Sequence, residues 1–334
     1  MRQVLLEAPF GLSSLALHER ELPKTTQGSV LVAIRATSLN YRDLLVATGR
    51  YNPRMPLPRV PLSDGAGEVI AVGEGISRWR VGDRVAGIFM QTWLDGPYRE
   101  HYGKSALGGA IDGVLAEVVA FHEDGLVAVP EHLTWEEAAC LPCAAVTAWN
   151  ALFATGSVKP GETVLVQGSG GVSIFALQFA RSAGARVIAT SSSAAKAERL
   201  EQLGAELVVD YQQHSDWGKQ IAKLGGADHV VEVGGAGSLE QSLSAVKAGG
   251  EVSVIGIVSG SSAALNIAPI LHKHIKLNGI YVGSRAMFEA MNRALVVQQI
   301  RPVIDSVYPM DQIQKALEHL ESAKHFGKIV VRVS

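Results

Sequence analysis

The sequence predicts an α/β protein in which a β-rich, barrel-type domain precedes a doubly wound parallel sheet. Up to about residue 125, short apolar runs are separated by Gly and Pro at close intervals, a texture typical of small barrels. From about residue 160, strand-like and helix-like segments alternate regularly. Such alternation indicates parallel strands covered by helices.

Length and composition agree with this fold class and exclude others. The chain has 334 residues, enough for two domains, and its 47% hydrophobic and 19% charged residues suit a compact soluble protein. A formal net charge of −2 with scattered basic residues gives no reason to expect nucleic acid or a membrane surface as partner. No signal peptide is visible, and the uncharged stretches are interrupted by Gly, Ser, Asn or Pro. We therefore expect a cytoplasmic protein.

The front domain is predicted from three strand-like runs. SVLVAIRA (29–36) alternates, GEVIAVG (67–73) ends in glycine, and VGDRVAGI (81–88) repeats the texture. Residues 134–155 have a helical texture instead, with Thr134 as N-cap and Glu137 three residues later. The closing strand KIVVRV has no helix to alternate with, so we expect it to return to the front domain.

A dinucleotide-binding loop is predicted where the alternation begins. The strand VLVQ (164–167) enters the stretch GSGGVS (168–173) and then an apolar helix. Gly168 permits a tight turn, Gly170 and Gly171 with Val172 let the backbone approach a pyrophosphate, and the helix N-terminus offers unpaired N–H groups. Ser173 replaces the usual third glycine but is small enough to keep the helix close to the strand. The alternative is a purely structural glycine turn.

The end of the second strand bears on the choice of cofactor. About 20 residues after the loop, where an NAD site places an acid, the chain has Ser191, Ser192 and Ser193, followed by Lys196 and Arg199. Without the acid, a 2′-phosphate is not repelled, and Lys196 attracts it. The sequence therefore favours NADPH over NADH. The alternative is that Lys196 and Arg199 form only a solvated helix face.

Several motifs in the expected order resemble those of the medium-chain dehydrogenase/reductase superfamily: LNYRDLL (39–45), LPCAAVTAWNAL (141–152), VLVQGSGGVS (164–173) and GKIVV (327–331). The chain is most similar to the zinc-independent, quinone-oxidoreductase-like members, which are often named zinc-type alcohol dehydrogenase-like. The resemblance implies a GroES-like catalytic domain formed by residues 1–125 and 270–334, and a Rossmann domain at 126–269. It also implies a homodimer, and the apolar run EVSVIGIV (251–258) is expected to be the sheet edge that pairs.

The positions that bind zinc in metal-dependent relatives are altered here. They correspond to Asn40 with Tyr41, Ser63 with Asp64, and Cys143, so one strong ligand remains. The chain has two cysteines in all, so the four-cysteine structural lobe is also missing. We expect no metal. Without its Lewis acid, a carbonyl must be polarised by hydrogen-bond donors, which favours NADPH-dependent reduction of a quinone or an α,β-unsaturated carbonyl.

Four residues are predicted to be catalytic. Asn40 and Tyr41 can donate hydrogen bonds to a substrate oxygen, while Asp64 and Cys143 lie at the rest of the altered metal site. Three of them have a non-catalytic alternative: Tyr41 as a packing aromatic, Asp64 as a structural hydrogen-bond acceptor, and Cys143 as a small pocket-lining residue. For Asp43, an Asx turn or an ion pair with Arg42 is favoured over catalysis.

Further cofactor contacts follow from the resemblance and from the rule that strand ends border the nicotinamide site. They are Thr147, Tyr211, Gly234, Gly256, Val282, Gly283, Ser284, Phe326 and Lys328, the last with the alternative that it is solvent-exposed. Phe89, Met90 and Trp93 suggest a pocket wall or lid for a bulky or aromatic substrate. Two other functions stay open: an alcohol or aldehyde dehydrogenase with a weakly held metal, and a cofactor-binding protein with a structural or regulatory role.

Overall fold

The computed structural model describes residues 1–333 and divides into two compact units. One unit contains Met1–Val146 and the segment from Gly283 onward, and the other contains Thr147–Val282. The strands are, in chain order, β1 Arg2–Leu6, β2 Leu15–Glu19, β3 Ser29–Ser38, β4 Asp64–Val72, β5 Arg84–Gly87, β6 Val118–His122, β7 Leu126–Ala128, β8 Thr163–Gln167, β9 Arg186–Ser191, β10 Leu207–Asp210, β11 Ala227–Glu232, β12 Val246–Val254, β13 Lys276–Gly279, β14 Ile304–Pro309 and β15 Lys328–Arg332.

The α-helices connect these strands and are mostly short. They are α1 Tyr41–Ala47, α2 Trp135–Ala139, α3 Val146–Trp149, α4 Gly171–Ser182, α5 Ala194–Gln202, α6 Trp217–Lys223, α7 Leu239–Ala245, α8 Ala268–His272, α9 Arg285–Gln298 and α10 Ile313–Glu321. Two π-helical segments, Leu141–Ala145 and Asn150–Ala154, flank α3. Within residues 1–333, no helix has the length and apolar character needed to cross a membrane.

The first unit is built on a seven-stranded sheet in the order β14-β15-β3-β4-β5-β7, with β6 also paired to β3. β3 is central because it pairs with β4, β6 and β15, all antiparallel. Its neighbour β4 carries Gly67 opposite β3, where a Cβ atom would lie 2.0 Å from the carbonyl oxygen of Ala33. Glycine is therefore required for these strands to approach. The prediction that the closing strand returns to the front domain is confirmed by the β15–β3 pairing.

The predicted cap of α2 is also confirmed. The Thr134 hydroxyl accepts the N–H of Glu137 at 3.2 Å, and the Glu137 carboxylate accepts the N–H of Thr134 at 2.8 Å. The helix ends after Ala139 and continues as π turns. The end of α2 is tied to β3, because the Ser38 hydroxyl donates to the carbonyl of Ala139 at 2.8 Å.

The second unit is a parallel sheet in the order β10-β9-β8-β11-β12-β13, as the alternation predicts. The expected edge strand is wrong. β12 begins at Val246 and is covered on its far side by β13, whose Leu277 pairs with Val252, so β13 forms the edge. The run VKAGG (246–250) belongs to β12 and not to the preceding helix, because its glycines and β-branched Val246 do not extend α7.

The division between the units falls later in the chain than the predicted boundaries at 125/126 and 269/270. The first shift arises because α2 packs on β3 and β4 of the first unit. The second arises because β13 adds to the parallel sheet before the chain leaves it.

Candidate active site

A polar knot lies where β3 ends and β15 begins in the first unit; it consists of Asn40, Asp43, Asp64, Cys143 and Lys328. The backbone sets its geometry, since the N–H of Leu39 donates to the carbonyl of Ile329 at 2.9 Å. This places Lys328, only 3% exposed, beside Asn40. The Lys328 ammonium donates to the carbonyl of Leu39 and, at 2.6 Å, to Oδ1 of Asn40.

Asp64 enters the knot at the first residue of β4, opposite Ser38 of β3. Its carboxylate is fully buried and is held by two donors: the hydroxyl of Ser63 at 2.7 Å to Oδ1 and the N–H of Cys143 at 2.9 Å to Oδ2. Asp64 therefore acts as a structural acceptor that joins β4 to the π-helical segment containing Cys143. This agrees with the alternative considered for it.

Asp43 is held on the first turn of α1. Its Oδ2 accepts the N–H of Asn40, three residues earlier, at 2.8 Å, which is the acid's part of a capping box and not an Asx turn. Its buried Oδ1 has no hydrogen-bond partner within residues 1–333. Burial raises the pKa of Asp43 to about 6; the Arg42 guanidinium opposes this rise, and the Asp64 carboxylate adds to it. Asp43 thus carries a carboxyl that titrates near neutral pH.

Charges inside the knot also set the state of Asp64 and Cys143. Burial raises the pKa of Asp64, and the Lys328 ammonium opposes that rise. Burial and the neighbouring Asp64 raise the pKa of the Cys143 thiol well above its ordinary value. A thiol of this kind stays protonated at neutral pH and is a poor nucleophile or anionic ligand.

Asn40 presents a donor group. Its Oδ1 is taken by Lys328, while its buried Nδ2 makes no hydrogen bond to any residue between 1 and 333. The amide is nevertheless close enough to Asp64 to lower the pKa of that carboxyl. An amide NH2 carries two hydrogens, so a contact with Asp64 leaves one N–H for another acceptor.

Tyr41 and Arg42 flank the knot differently. The Tyr41 ring packs against the core of the first unit. The Arg42 guanidinium donates to the carbonyl of Leu107 at 2.7 Å and lies over the rings of Phe89 and Tyr51. Arg42 is therefore fixed in place.

The suggested lid residues Phe89, Met90 and Trp93 are interior residues. They are 1%, 1% and 2% exposed. The centroid of the Phe89 ring lies 4.7 Å from Cζ of Arg42.

In the second unit, the predicted cofactor residues gather at one edge of the sheet. Because all six strands are parallel, residues that follow them lie at the same, carboxyl edge. These residues are Gly168 after β8, Ser191 and Ser192 at the end of β9, Tyr211 after β10, Gly234 after β11, Gly256 after β12 and Val282 after β13. Thr147, 3% exposed, lies in α3 of the same unit.

The glycine-rich loop has the space that a pyrophosphate needs. Gly168 has φ +66, and a Cβ at Gly168 or Gly170 would meet nothing within 4 Å. Gly170 caps α4 without a side-chain hydrogen bond, so the N–H groups of Gly171 and Val172 are not capped by a side chain. Ser173 instead donates to the carbonyl of Gln167 at 2.6 Å, which ties the helix to the strand. The loop therefore fits a dinucleotide.

The remaining predicted cofactor residues have defined structural surroundings. Asn150, which the sequence did not single out, donates to the carbonyl of Val282 at 2.8 Å and holds its left-handed backbone. In the first unit, Ser284 caps α9 through the N–H of Met287, and Phe326 is 1% exposed. Gly283 lies where a Cβ would be 2.6 Å from Val146. The solvent-exposed alternative for Lys328 is wrong, because its ammonium points into the polar knot.

Comparison with known proteins identifies the family. The model for "Alcohol dehydrogenase GroES-like domain" matches residues 26–131, and that for "Zinc-binding dehydrogenase" matches residues 171–296. A zinc-type alcohol dehydrogenase-like protein of Schizosaccharomyces pombe is 42% identical over 100% of this chain and 99% of its own. The chain belongs to the medium-chain dehydrogenase/reductase superfamily. It is therefore an oxidoreductase fold with a GroES-like domain and a Rossmann domain, as the motifs imply.

Two further members of the superfamily bear on the chemistry. The crystal structure of a putative alcohol dehydrogenase from Sinorhizobium meliloti is 39% identical, has a TM-score of 0.92, and covers 100% of this chain and 99% of its own. An acryloyl-coenzyme A reductase of Metallosphaera sedula is 31% identical over 94% of this chain and 95% of its own.

The zinc that these names imply does not fit this member's residues. Asp64 is satisfied by the hydroxyl of Ser63 and the N–H of Cys143, and Oδ1 of Asn40 is satisfied by Lys328. A buried ammonium already supplies positive charge there, which disfavours a second cation. Within residues 1–333, no three His, Cys, Asp or Glu side chains form a group that could hold a metal.

A buried acid in this dehydrogenase/reductase was missed by sequence reasoning. Glu232, at the end of β11, is fully buried; it accepts the hydroxyls of Ser238 and Ser242, the N–H groups of Gly234 and Gly235, and the amide of Gln167. Gln167 is the residue before Gly168, so Glu232 joins the glycine-rich loop to the loop after β11. An acid that ends the apolar run HVVE was the available signal.

The buried carboxyl of Asp43 should make stability depend on pH. With an ordinary value of 3.8 and a folded value of about 6, the folded state binds the extra proton between these pH values. The stability from Asp43 is therefore complete below pH 3.8 and is lost as pH rises through 6. The unfolding free energy of Asp43→Asn minus that of the unaltered protein should rise by about 2 kcal/mol from pH 4 to 7. Urea unfolding at each pH measures it, with the exposed Asp311→Asn as control; a difference that stays flat contradicts the assignment.

Proposed function

We propose that the chain is an NADPH-dependent oxidoreductase that delivers hydride to a quinone or an α,β-unsaturated carbonyl without catalytic zinc. The observation that supports this most strongly is the polar knot. Where metal-dependent relatives are expected to hold zinc, it offers an uncommitted amide N–H beside a buried ammonium. The similarity to an acryloyl-coenzyme A reductase also supports it, because an acryloyl group is an α,β-unsaturated carbonyl.

The residues that would hold the cofactor are those at the carboxyl edge of the parallel sheet. The N–H groups of Gly170, Gly171 and Val172 would bind the pyrophosphate, and Ser191, Ser192 and Lys196 the 2′-phosphate. Tyr211 would flank the adenine; Thr147, Gly234, Gly256, Val282, Gly283, Ser284 and Phe326 are the proposed nicotinamide-side residues. When bound, NADPH supplies the hydride.

The chemistry of the knot suits an activated acceptor. As the acceptor's β-carbon or quinone carbon is reduced, negative charge grows on its oxygen. Asn40 Nδ2–H and the Tyr41 hydroxyl donate to that oxygen, and preorganised donors of this kind stabilise such charge. Asp64 and Cys143 shape the surroundings of Asn40. An alcohol substrate needs stronger charge stabilisation at its oxygen than these neutral donors provide.

Replacing the two donors should lower turnover. NADPH oxidation, followed by absorbance, is measured with a panel of quinones, enones, enoyl thioesters, aldehydes and alcohols. We expect Asn40→Ala to lower kcat by about 100-fold or more, because a preorganised donor is lost. Tyr41→Phe should lower it by roughly tenfold or more.

Asn52→Ala is the control, since Asn52 is exposed and accepts only a local backbone N–H. Full activity in both Asn40→Ala and Tyr41→Phe would mean that the polar knot has only a structural role. Alcohol oxidation that requires stoichiometric zinc would contradict the zinc-free mechanism. Flat traces with tight NADPH binding would contradict the enzymatic assignment and favour a cofactor-binding role.

The cofactor preference depends on Lys196, which is half-buried on the first turn of α5. A charge-assisted contact with a phosphate is worth about 1.5–3 kcal/mol. Lys196→Gln should therefore reduce kcat/KM for NADPH by about 10- to 100-fold and leave that for NADH unchanged. Lys219→Gln, an exposed lysine of α6, is the control. An unaltered protein that prefers NADH would refute the proposal.

We also propose a homodimer in which β13, the edge strand of the parallel sheet, pairs with its copy. Leu277 and Tyr281 are 39% and 38% exposed, and Ile257 and Val258, which follow the neighbouring strand β12, are 49% and 57% exposed. An apolar sheet edge of this kind is open to pairing. Sedimentation velocity should give twice the 35.4 kDa chain mass, and Leu277→Asp should shift the species toward the single chain. A monomeric unaltered protein would exclude the dimer.

A further inference from the structure

The Lys328 ammonium anchors the one side chain of the polar knot that has an uncommitted donor. It donates to Oδ1 of Asn40 at 2.6 Å and to the carbonyl of Leu39. We propose that Lys328 is a positioning residue that acts through Asn40 and fixes the amide so that its NH2 group faces the reacting oxygen. The last step rests on the proposed function; the anchoring itself does not.

The backbone makes this anchoring rigid. β15 begins at Lys328 and pairs with β3, with Val330 opposite Ser38. The N–H of Leu39 donates to the carbonyl of Ile329. Both ends of the Lys328–Asn40 contact are thus attached to the same pair of hydrogen-bonded strands, so the ammonium cannot drift away from the amide.

The contact also selects one orientation of the amide. Turning the Asn40 amide by 180° would place its NH2 against the ammonium, so donor would face donor. The observed orientation places Nδ2 near Asp64 and leaves at least one of its two buried N–H groups without an acceptor within residues 1–333. A buried donor without a partner is unfavourable by itself. A ligand oxygen that accepts its N–H removes that cost.

The charge of Lys328 adds to the effect. A cation on the amide oxygen draws electron density from the nitrogen and strengthens the N–H as a donor, as in any chain of hydrogen bonds in a low-dielectric site. The buried carboxyls of Asp64 and Asp43 lie close enough to the ammonium to offset the cost of burying it, so its charge can be kept beside the amide. The position can therefore hold a cation against Asn40.

A competing role for Lys328 is a direct contact with the cofactor, which the family resemblance implies for this loop; a phosphate is the cofactor group that an ammonium would bind. The two roles separate in kinetics. A positioning residue affects kcat and leaves the dissociation constant of NADPH unchanged. A phosphate contact affects the dissociation constant.

The kinetic test uses Lys328→Met, Asn40→Ala and the double variant, with Lys324→Met, an exposed lysine four residues earlier, as control. We expect Lys328→Met to lower kcat by about 100-fold, with the Kd of NADPH changed less than threefold. The double variant should be no slower than Asn40→Ala alone, because both changes remove one unit. Independent, multiplicative losses, or a weakened Kd with unchanged kcat, would overturn the proposal.

A second measurement needs no turnover. The chain has six asparagines, so side-chain 15N-asparagine labelling gives six NH2 pairs, and Asn40→Ala identifies one of them. In Lys328→Met, that pair should shift and its two protons should broaden through amide rotation, while the other five and all six in Lys324→Met stay in place. An unchanged Asn40 pair would overturn the proposal. Should no acceptor be reduced by the unaltered protein, the proposed function fails, and this measurement still decides the role of Lys328.

Discussion

The hydrogen-bonded junction of β3 and β15 is the constraint on which the first unit's chemistry depends. It brings Lys328 to Asn40, so that Oδ1 of the Asn40 amide accepts a hydrogen bond from the ammonium while Nδ2 keeps an N–H to donate. It also places a positive charge beside Asp64 and Asp43, two buried carboxyls that burial alone would leave protonated at higher pH. The side chains of the knot are individually ordinary, and their properties come from being held at this junction.

A lysine in this position changes what the metal-site geometry of the superfamily can do. A metal ion is a strong electrophile that accepts lone pairs from several ligands. An ammonium cannot accept lone pairs, but it can donate hydrogen bonds and orient a neighbouring amide. The same framework then supports charge stabilisation through hydrogen bonds, which suits acceptors whose carbonyl is already activated by conjugation.

The sequence patterns predicted which segments form helices and strands better than they predicted which strands lie next to each other. The alternation from β8 onward and the cap at Thr134 depend on local chemistry and were confirmed. The edge strand was wrong because pairing order is not encoded in the periodicity of one segment. The π turns around α3 were not predicted from the sequence either. They also mean that the four-residue spacing of Cys143 and Thr147 does not have its usual α-helical consequence.

The candidate site shows the same limit. The resemblance singled out Asn40, Asp64 and Cys143, and the structure brings them into one knot. Lys328 was expected near the cofactor from the family resemblance. The string GKIVV indicates a strand, but it does not indicate that the lysine side chain donates to Asn40. Glu232 escaped because a single acid at a strand end looks like a solvated residue. Only its five donors, contributed by three separate segments, reveal it as a buried junction.

The Lys328–Asn40 contact joins residues 288 positions apart. This separation limits the order in which the two units can fold during synthesis. The second unit is a continuous stretch, Thr147–Val282, so its parallel sheet can form while synthesis continues. The first unit is divided, and β3 can pair with β4 and β6 early but lacks its third partner until β15 has left the ribosome. Until then Asp43 and Asp64 have no lysine beside them. The glycine-rich loop can therefore form during synthesis, whereas the polar knot can be completed only when the end of the chain has been made.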